Sequence, residues 1–438
     1  MSAVARAAIG LDALIGRRGA LAVDLLVVAA LAGYVVLFLA VRGATNACFF
    51  VLILLALLCL VRQRAAFAAA WRLQGSRILV VALGLVFAAA VAANLLRGQF
   101  DLVDLDGPSR YLLAGLLLLF LTAKRVQFVR IFAAVLPLAT LAALAAVLLH
   151  TDTANRWNGR FATSFVDPNT LGGYAVILTF LMLLTAASPG ERSPLRRVLP
   201  WLGAAAGLLL TMFAASRGAW LAVPLLAALW LHLRWQQGAG RVASQGLVVF
   251  GIMALVAVVV PDVAQRGMAG SHEVRSWLDG TNPMTPAGQR LSVWQLSLDL
   301  FAASPLTGYG WTAVATTQLA RPEVASAAPP PEIIHILAQG GPHNDLLTLA
   351  LSHGVFGITA FATLLFVPAA FFWRRRKTAT GDARLACELG VCLVAGVLVC
   401  GLTNEMLSLK YLASFYGLTV AGLAAQVLSE ERTVGGAA

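Results

Sequence analysis

Charge is what this chain has little of. Asp, Glu, Lys and Arg make up 12% of its 438 residues, against about 25% in an ordinary soluble domain, while hydrophobic residues reach 60% against roughly 45–50%. That balance excludes a soluble globular protein. Cysteine is also scarce: Cys48, Cys59, Cys387, Cys392 and Cys400 all lie in or beside apolar runs, where a free thiol behaves as a small hydrophobe. No disulfide framework and no metal-ligand spacing is visible among them. A repeat of fixed period is likewise missing.

What is there is a succession of apolar runs, each near the roughly 20 residues that cross a bilayer. Twelve are read: Leu21 to Val41, Ala47 to Val61, Ile78 to Leu96, Tyr111 to Ala123, Phe128 to His150, Thr170 to Ala187, Leu199 to Ala215, Gly218 to Leu233, Gln245 to Val260, His343 to Trp373, Leu385 to Thr403 and Ser408 to Leu428. The fourth is short and is expected to begin in the polar approach around Pro108. The first has basic flanks but no evident small-residue cleavage site, so it reads as an uncleaved helix rather than a signal peptide. The fold class expected is an all-α polytopic membrane protein of about twelve spans.

Assigning alternate sides to the loops divides the 32 Lys and Arg residues into 21 on the side of the N-terminus and 11 opposite, over far more loop length. Basic residues in short loops stay cytoplasmic, which puts both termini inside. The net charge of +12 is then mostly a topology signal, with anionic lipid headgroups as natural partners and nucleic acid as a poor one. One long polar interval, residues 261–342, falls outside as an external insert between spans 1–9 (residues 1–260) and spans 10–12 with a short tail (residues 343–438). Together these form one integrated membrane domain with no separate soluble domain. Within the insert, Leu291, Trp294, Leu298 and Phe301 recur at helical spacing, an amphipathic helix, and Ala325 to Pro331 reads as an extended linker.

Arginine in short outer loops runs against the charge bias, yet Arg156, Arg160 and Arg217 stand there. Its planar, always-charged fork suits phosphate, and at a membrane surface the available anions are lipid phosphate and pyrophosphate. Snorkelling to headgroups, or pairing with Asp152 and Asp167, is the competing explanation for any one of them. Among the six histidines, His343 has an unperturbed pKa suited to general-base work and stands at the mouth of a span. His150 and His232 read as interfacial or packing residues. His335 is close enough in sequence to share a site with His343, but His335, His343 and His353 match no metal-ligand spacing.

Four strings carry specificity, all on the outer face: Phe165-Val166-Asp167-Pro168-Asn169, Ser216-Arg217-Gly218-Ala219-Trp220, Gly288-Gln289-Arg290 with Trp294, and His343-Asn344-Asp345-Leu346-Leu347 with Gly354 and Gly357. With Pro305-Leu306-Thr307-Gly308-Tyr309-Gly310 they resemble, in content and order, the O-antigen ligase and polymerase superfamily, most closely the O-antigen ligases. The resemblance implies a metal-independent, membrane-embedded glycosyltransferase of the GT-C type, with no cofactor. It would move a preassembled glycan from undecaprenyl pyrophosphate to a sugar hydroxyl of the lipid A core, on the periplasmic side of the bacterial inner membrane.

On that reading His343 is the base, Arg217, Arg290 and Arg160 hold the donor pyrophosphate, and Asn344, Asn169, Ser216 and Trp294 support them. The chain departs from the family where an acidic residue commonly precedes the glycine after the histidine motif; here that residue is His353. Three alternatives stay open. A polymerase would use a second lipid-linked glycan as acceptor, and a protein O-oligosaccharyltransferase a hydroxyl side chain. A transporter of lipid-linked sugars would need charged groups along a path near mid-bilayer, where these spans are almost free of charge.

Overall fold

The computed structural model describes residues 21–98, 101–157, 159–186, 194–234, 261–311 and 330–435. Among these residues the secondary structure is helical throughout, without a strand. In a medium that cannot hydrogen-bond to the backbone, a helix satisfies its own amides, so long apolar runs leave little alternative. The helices are α1 (Leu21–Val36), α2 (Ala44–Arg62), α3 (Arg64–Arg72), α4 (Gln74–Arg97), α5 (Leu102–Lys124), α6 (Phe128–Leu149), α7 (Pro168–Ala186), α8 (Pro194–Phe213), α9 (Arg217–Arg234), α10 (Pro261–Leu278), α11 (Pro286–Ala303), α12 (Pro331–Gly340), α13 (Asp345–Arg375), α14 (Gly381–Gly401) and α15 (Lys410–Gly435).

Eight of them, α2, α4, α5, α6, α7, α13, α14 and α15, are long and apolar enough to cross a membrane. Helices α1, α8 and α9 fall on three further expected spans, and the ninth, Gln245 to Val260, lies outside the described residues, as does most of the linker from Ala325. The short fourth run is lengthened as expected. Helix α5 starts at Leu102, where Asp101 caps it by accepting from the Val103 amide at 2.8 Å, and it carries Pro108 inside its second turn.

Burial sorts the helices into centre and rim. The apolar windows of α7 and α15 are 89% and 100% buried, so these two form the core, while α2, α4 and α6 turn Leu54, Leu58, Val81, Leu85, Leu138 and Leu148 outward. A rim of exposed leucine and valine is the lipid-facing surface expected of a membrane bundle. Helix α15 packs chiefly on α5, α7 on α8, and α13 on α4. Phe38, Tyr174 and Phe415 lock α7 and α15 together, with Phe38 stacked on Phe415 at 3.8 Å between centroids and edge-on to Tyr174 at 4.8 Å. At one end the bundle closes with ion pairs between α6 and α14 (Arg130–Asp382) and between α13 and α15 (Arg375–Glu431). At the other end the insert helices α10 to α12 pack on one another and on α13, and α10 is tied to the start of α9 through Glu273 and Arg217.

Candidate active site

The histidine motif folds as a bend into α13. Gly341 and His343 both have positive φ, 66° and 50°, and the latter is a conformation that a side chain makes costly. Three contacts hold it. Trp294 Nε1, on α11, donates to Pro342 O at 2.9 Å; Asn344 caps α13 by accepting from Leu347 N at 3.2 Å; and Asn344 Nδ2 donates to Leu402 O at 3.0 Å. Asp345, fully buried, accepts from Met406 N at 2.9 Å, Leu407 N at 3.0 Å and Ser408 Oγ at 3.3 Å. The motif's Asn and Asp therefore fasten the 402–409 turn beside His343.

Helix α13 is then broken at Gly354 (φ 62°, ψ −142°). The Pro305–Gly310 string lies along the break: Tyr309 N and Gly310 N donate to Leu351 O and Ser352 O at 2.7 and 2.9 Å, and Val355 N donates to Pro305 O at 2.8 Å. Arg97 closes the seam by donating to Thr307 O and Ser352 O, each at 2.7 Å, and pairs with Asp104 at 3.0 Å. A Cβ on Gly354 would collide with the Leu306 carbonyl, and one on Gly308 with Leu351 O. Only glycine allows the two backbones so close. Two of the recognised motifs thus act as a joint that lets a polar loop reach membrane depth with its amides satisfied.

Arg217 opens α9 and forms a fork with Glu273 of α10, Nη1 to Oε2 at 2.8 Å and Nη2 to Oε1 at 2.9 Å. The bond from Arg217, aided by the Ala287 amide, holds the Glu273 carboxyl below the usual carboxylate range. Arg290, half-buried on α11, lies in the same electrostatic cluster: burial first, and then the charge of Arg217, lower its pKa, against opposition from Asp167 and Glu273. His343 feels both sides. Burial lowers its pKa, the charge of Arg290 lowers it further, and Asp167 pulls the other way. The net direction keeps the ring neutral and able to accept a proton at neutral pH.

Of these groups His343 and Asp167 line a cavity of about 280 Å³, together with Thr170, Asn404, Glu405, Gly341 and Trp311 among others, whereas Arg217, Glu273 and Arg290 are not among its lining residues. Glu405 is a cavity-lining acid that the sequence reading did not single out. It is 7% exposed, accepts from Thr348 Oγ1 at 3.1 Å and abuts Gly341, where a Cβ would strike its Oε1. Burial, with the Asp345 carboxyl beside it, pushes its pKa up to about 8, so at neutral pH it stands as a protonated donor facing the cavity. The one signal in the sequence was a lone acid, Glu405, in an otherwise uncharged outer turn between two apolar runs.

Other candidates take supporting places. Arg160 donates to the Ala214 carbonyl at 2.9 Å and to the Asn169 side-chain oxygen Oδ1 at 2.6 Å. Asp167 caps α7 through the Asn169 and Thr170 amides at 2.8 and 3.1 Å and also lines the cavity. Ser216 sits buried at the start of α9 against Gly172, with its Oγ 3.5 Å from the Ala219 amide. Trp294 holds Pro342 by its indole N–H. His335 is exposed on α12, and His353 is buried at the helix break; it lines a second, mainly apolar cavity of about 110 Å³ that shares Trp311 and Leu409 with the first. Neither histidine lines the cavity of His343.

The fold and this cluster define a polytopic helical membrane protein with an arginine pair, a neutral histidine and a buried acid at one end of the bundle. Residues 202–362 match the family model described as O-antigen ligase. The matched stretch holds Arg217, Glu273, Arg290, His343 and the Gly354 break, whereas Arg160, Asn169 and Glu405 lie beyond it. A curated relative, an uncharacterized protein of Haemophilus influenzae, is 20% identical over 189 residues, 42% of this chain and 45% of its own length. The chain thus spans less than half the length of the curated relative it matches.

Proposed function

We propose that the protein is an O-antigen ligase of the GT-C type. It transfers a preassembled glycan from undecaprenyl pyrophosphate to a sugar hydroxyl of the lipid A core at the periplasmic face of the inner membrane, with both termini in the cytoplasm. The observation that carries this reading is a neutral His343 lining a cavity within the field of Arg290, whose own neighbour in charge is Arg217. In the reaction His343 accepts the proton of the incoming hydroxyl, whose oxygen attacks the anomeric carbon. The bond from that carbon to the pyrophosphate oxygen breaks, and the electron pair leaves with the pyrophosphate.

Arg290 and Arg217 stabilise the negative charge that develops there, as preorganised cations do in a site shielded from water. Protonated Glu405 and Asn404 offer hydrogen bonds to the acceptor sugar across the cavity. Arg160 and Asn169 hold the wall formed by the start of α7 and the end of α8.

His343→Ala tests the assignment: purified in the membrane and shown to be folded by its melting curve, the variant should lose transfer to lipid A core by at least about 100-fold, the usual scale of general-base catalysis. Transfer at the wild-type rate would remove His343 as the base.

A further inference from the structure

Arg217 reaches towards the proposed phosphate site but is already engaged. Glu273 takes both of its forward donors in a fork, at 2.8 and 2.9 Å, and its Oε2 also accepts from Ala287 N at 3.0 Å in the first turn of α11. The carboxylate is 9% exposed and its pKa is lowered, so the pair is charged and held on three bonds. A carboxylate edge in a guanidinium fork has the geometry of a phosphate edge. Arg290 sits in the same electrostatic cluster, and among the described residues no carboxylate lies within ion-pair distance of it.

Two cations, Arg217 and Arg290, thus face two carboxylates, Glu273 and Asp167, and the cluster carries no net charge. The outer membrane surface offers it two kinds of anion. Anionic phospholipid headgroups such as that of phosphatidylglycerol are phosphodiesters with one net negative charge, present in great excess; a lipid-linked diphosphate has two and is rare. To take Arg217, a monoanion must displace another monoanion that is tethered to the same chain and competes at high effective concentration. A diphosphate can bridge both guanidiniums, and the departing Glu273 leaves Ala287 N, a helix-N-terminal donor, free for one of its oxygens.

We propose that Glu273 is a specificity-determining residue, an internal competitor that keeps phosphodiester headgroups off the arginine pair and gives way to a diphosphate. The proposal rests on Arg217 and Arg290 being the donor's pyrophosphate grip. Exchange of Glu273 for diphosphate releases one of the ties between α9 and the α10–α11 pair, so donor binding also loosens the insert over the cavity.

The test compares the KM for lipid-linked donor in vesicles of neutral phosphatidylcholine with that in vesicles containing phosphatidylglycerol, for the full-length wild type and Glu273→Gln. Wild type should show the same KM in both. Glu273→Gln, which keeps an acceptor for Ala287 N but loses the charge, should bind donor about tenfold more tightly in neutral vesicles and lose that gain when phosphatidylglycerol is present, a factor equal to about 1.4 kcal/mol.

A higher donor KM for Glu273→Gln in neutral vesicles would show that the carboxylate orients Arg217 permanently, and equal KM in both vesicle types would remove the competitor role. A wild-type measurement needs no variant: inorganic pyrophosphate should raise the melting temperature and inorganic phosphate should not, and equal stabilisation by both would overturn the proposal. Arg217→Ala separates the two levels. If it leaves donor KM unchanged, the pyrophosphate grip itself fails; if it raises KM while Glu273→Gln gains no sensitivity to phosphatidylglycerol, only the competitor fails.

Discussion

Glu405→Gln should stabilise the protein, and by an amount that depends on pH. The side chain is 7% exposed, and burial beside Asp345 raises its pKa from 4.5 to about 8. Between those values the folded protein keeps a proton that the unfolded chain has released. The native state then binds more protons than the unfolded one, so stability falls as pH rises, by about 1.4 kcal/mol per unit at most. Across the window the penalty is on the order of 3–5 kcal/mol, complete near pH 8 and absent below 4.5. Glutamine has the same shape, can still accept from Thr348 Oγ1, and carries no such penalty. Melting curves of wild type and variant in detergent, from pH 4.5 to 8.5, should coincide at the acid end and separate steadily until about pH 8, with the variant higher. A gap that does not change with pH, or a variant that melts lower at pH 8, would refute the protonated buried acid.

Transfer should persist below pH 6.5 and fall only as pH drops through the depressed pKa of His343; an acid limb centred above 6.5 would contradict the burial and Arg290 effects on that ring. Arg217→Lys and Arg290→Lys should each retain less than about a tenth of wild-type kcat/KM for the donor, because lysine keeps the charge but not the fork. Gly354→Ala forces a side chain into a backbone conformation that costs of order 1–3 kcal/mol and into the Leu306 carbonyl. It should lower the melting temperature and expose the 305–310 loop to protease. Trp294→Phe removes the 2.9 Å bond to Pro342 O, worth about 1 kcal/mol, and should reduce kcat more than it reduces stability because it loosens the bend that carries His343.

The helices were legible because hydropathy alone dictates them: apart from Gln245 to Val260, each expected span falls on a helix among the described residues. The extension of the short fourth run past Pro108 was legible too, since the bilayer demands the length. The break at Gly354 was not. Its cause is the antiparallel docking of a segment some 45 residues earlier, and a lone glycine in an apolar run carries no mark of that partner.

The hydrogen-bond partners of the candidate site residues were not legible. The spacing around His343 pointed to a site residue, but nothing local shows that Asn344 and Asp345 spend their hydrogen bonds on Leu402, Met406 and Leu407. The Arg217–Glu273 fork joins residues 56 apart, and Glu405 becomes unusual only once packing buries it. Arg160 shows the limit of reading charge from sequence: outer placement suggested an anion, and its fork is spent on Ala214 O and Asn169.

The central claim, glycan transfer from a lipid-linked diphosphate to the lipid A core, is tested most directly by reconstitution. Purified protein in vesicles is given lipid-linked glycan and, in parallel, lipid A core, a second lipid-linked glycan or a protein acceptor, each with and without chelator. Glycan should appear on lipid A core alone, at the same rate with chelator present. A lengthened lipid-linked glycan, a glycosylated protein, or movement of the donor across the bilayer without transfer would contradict it.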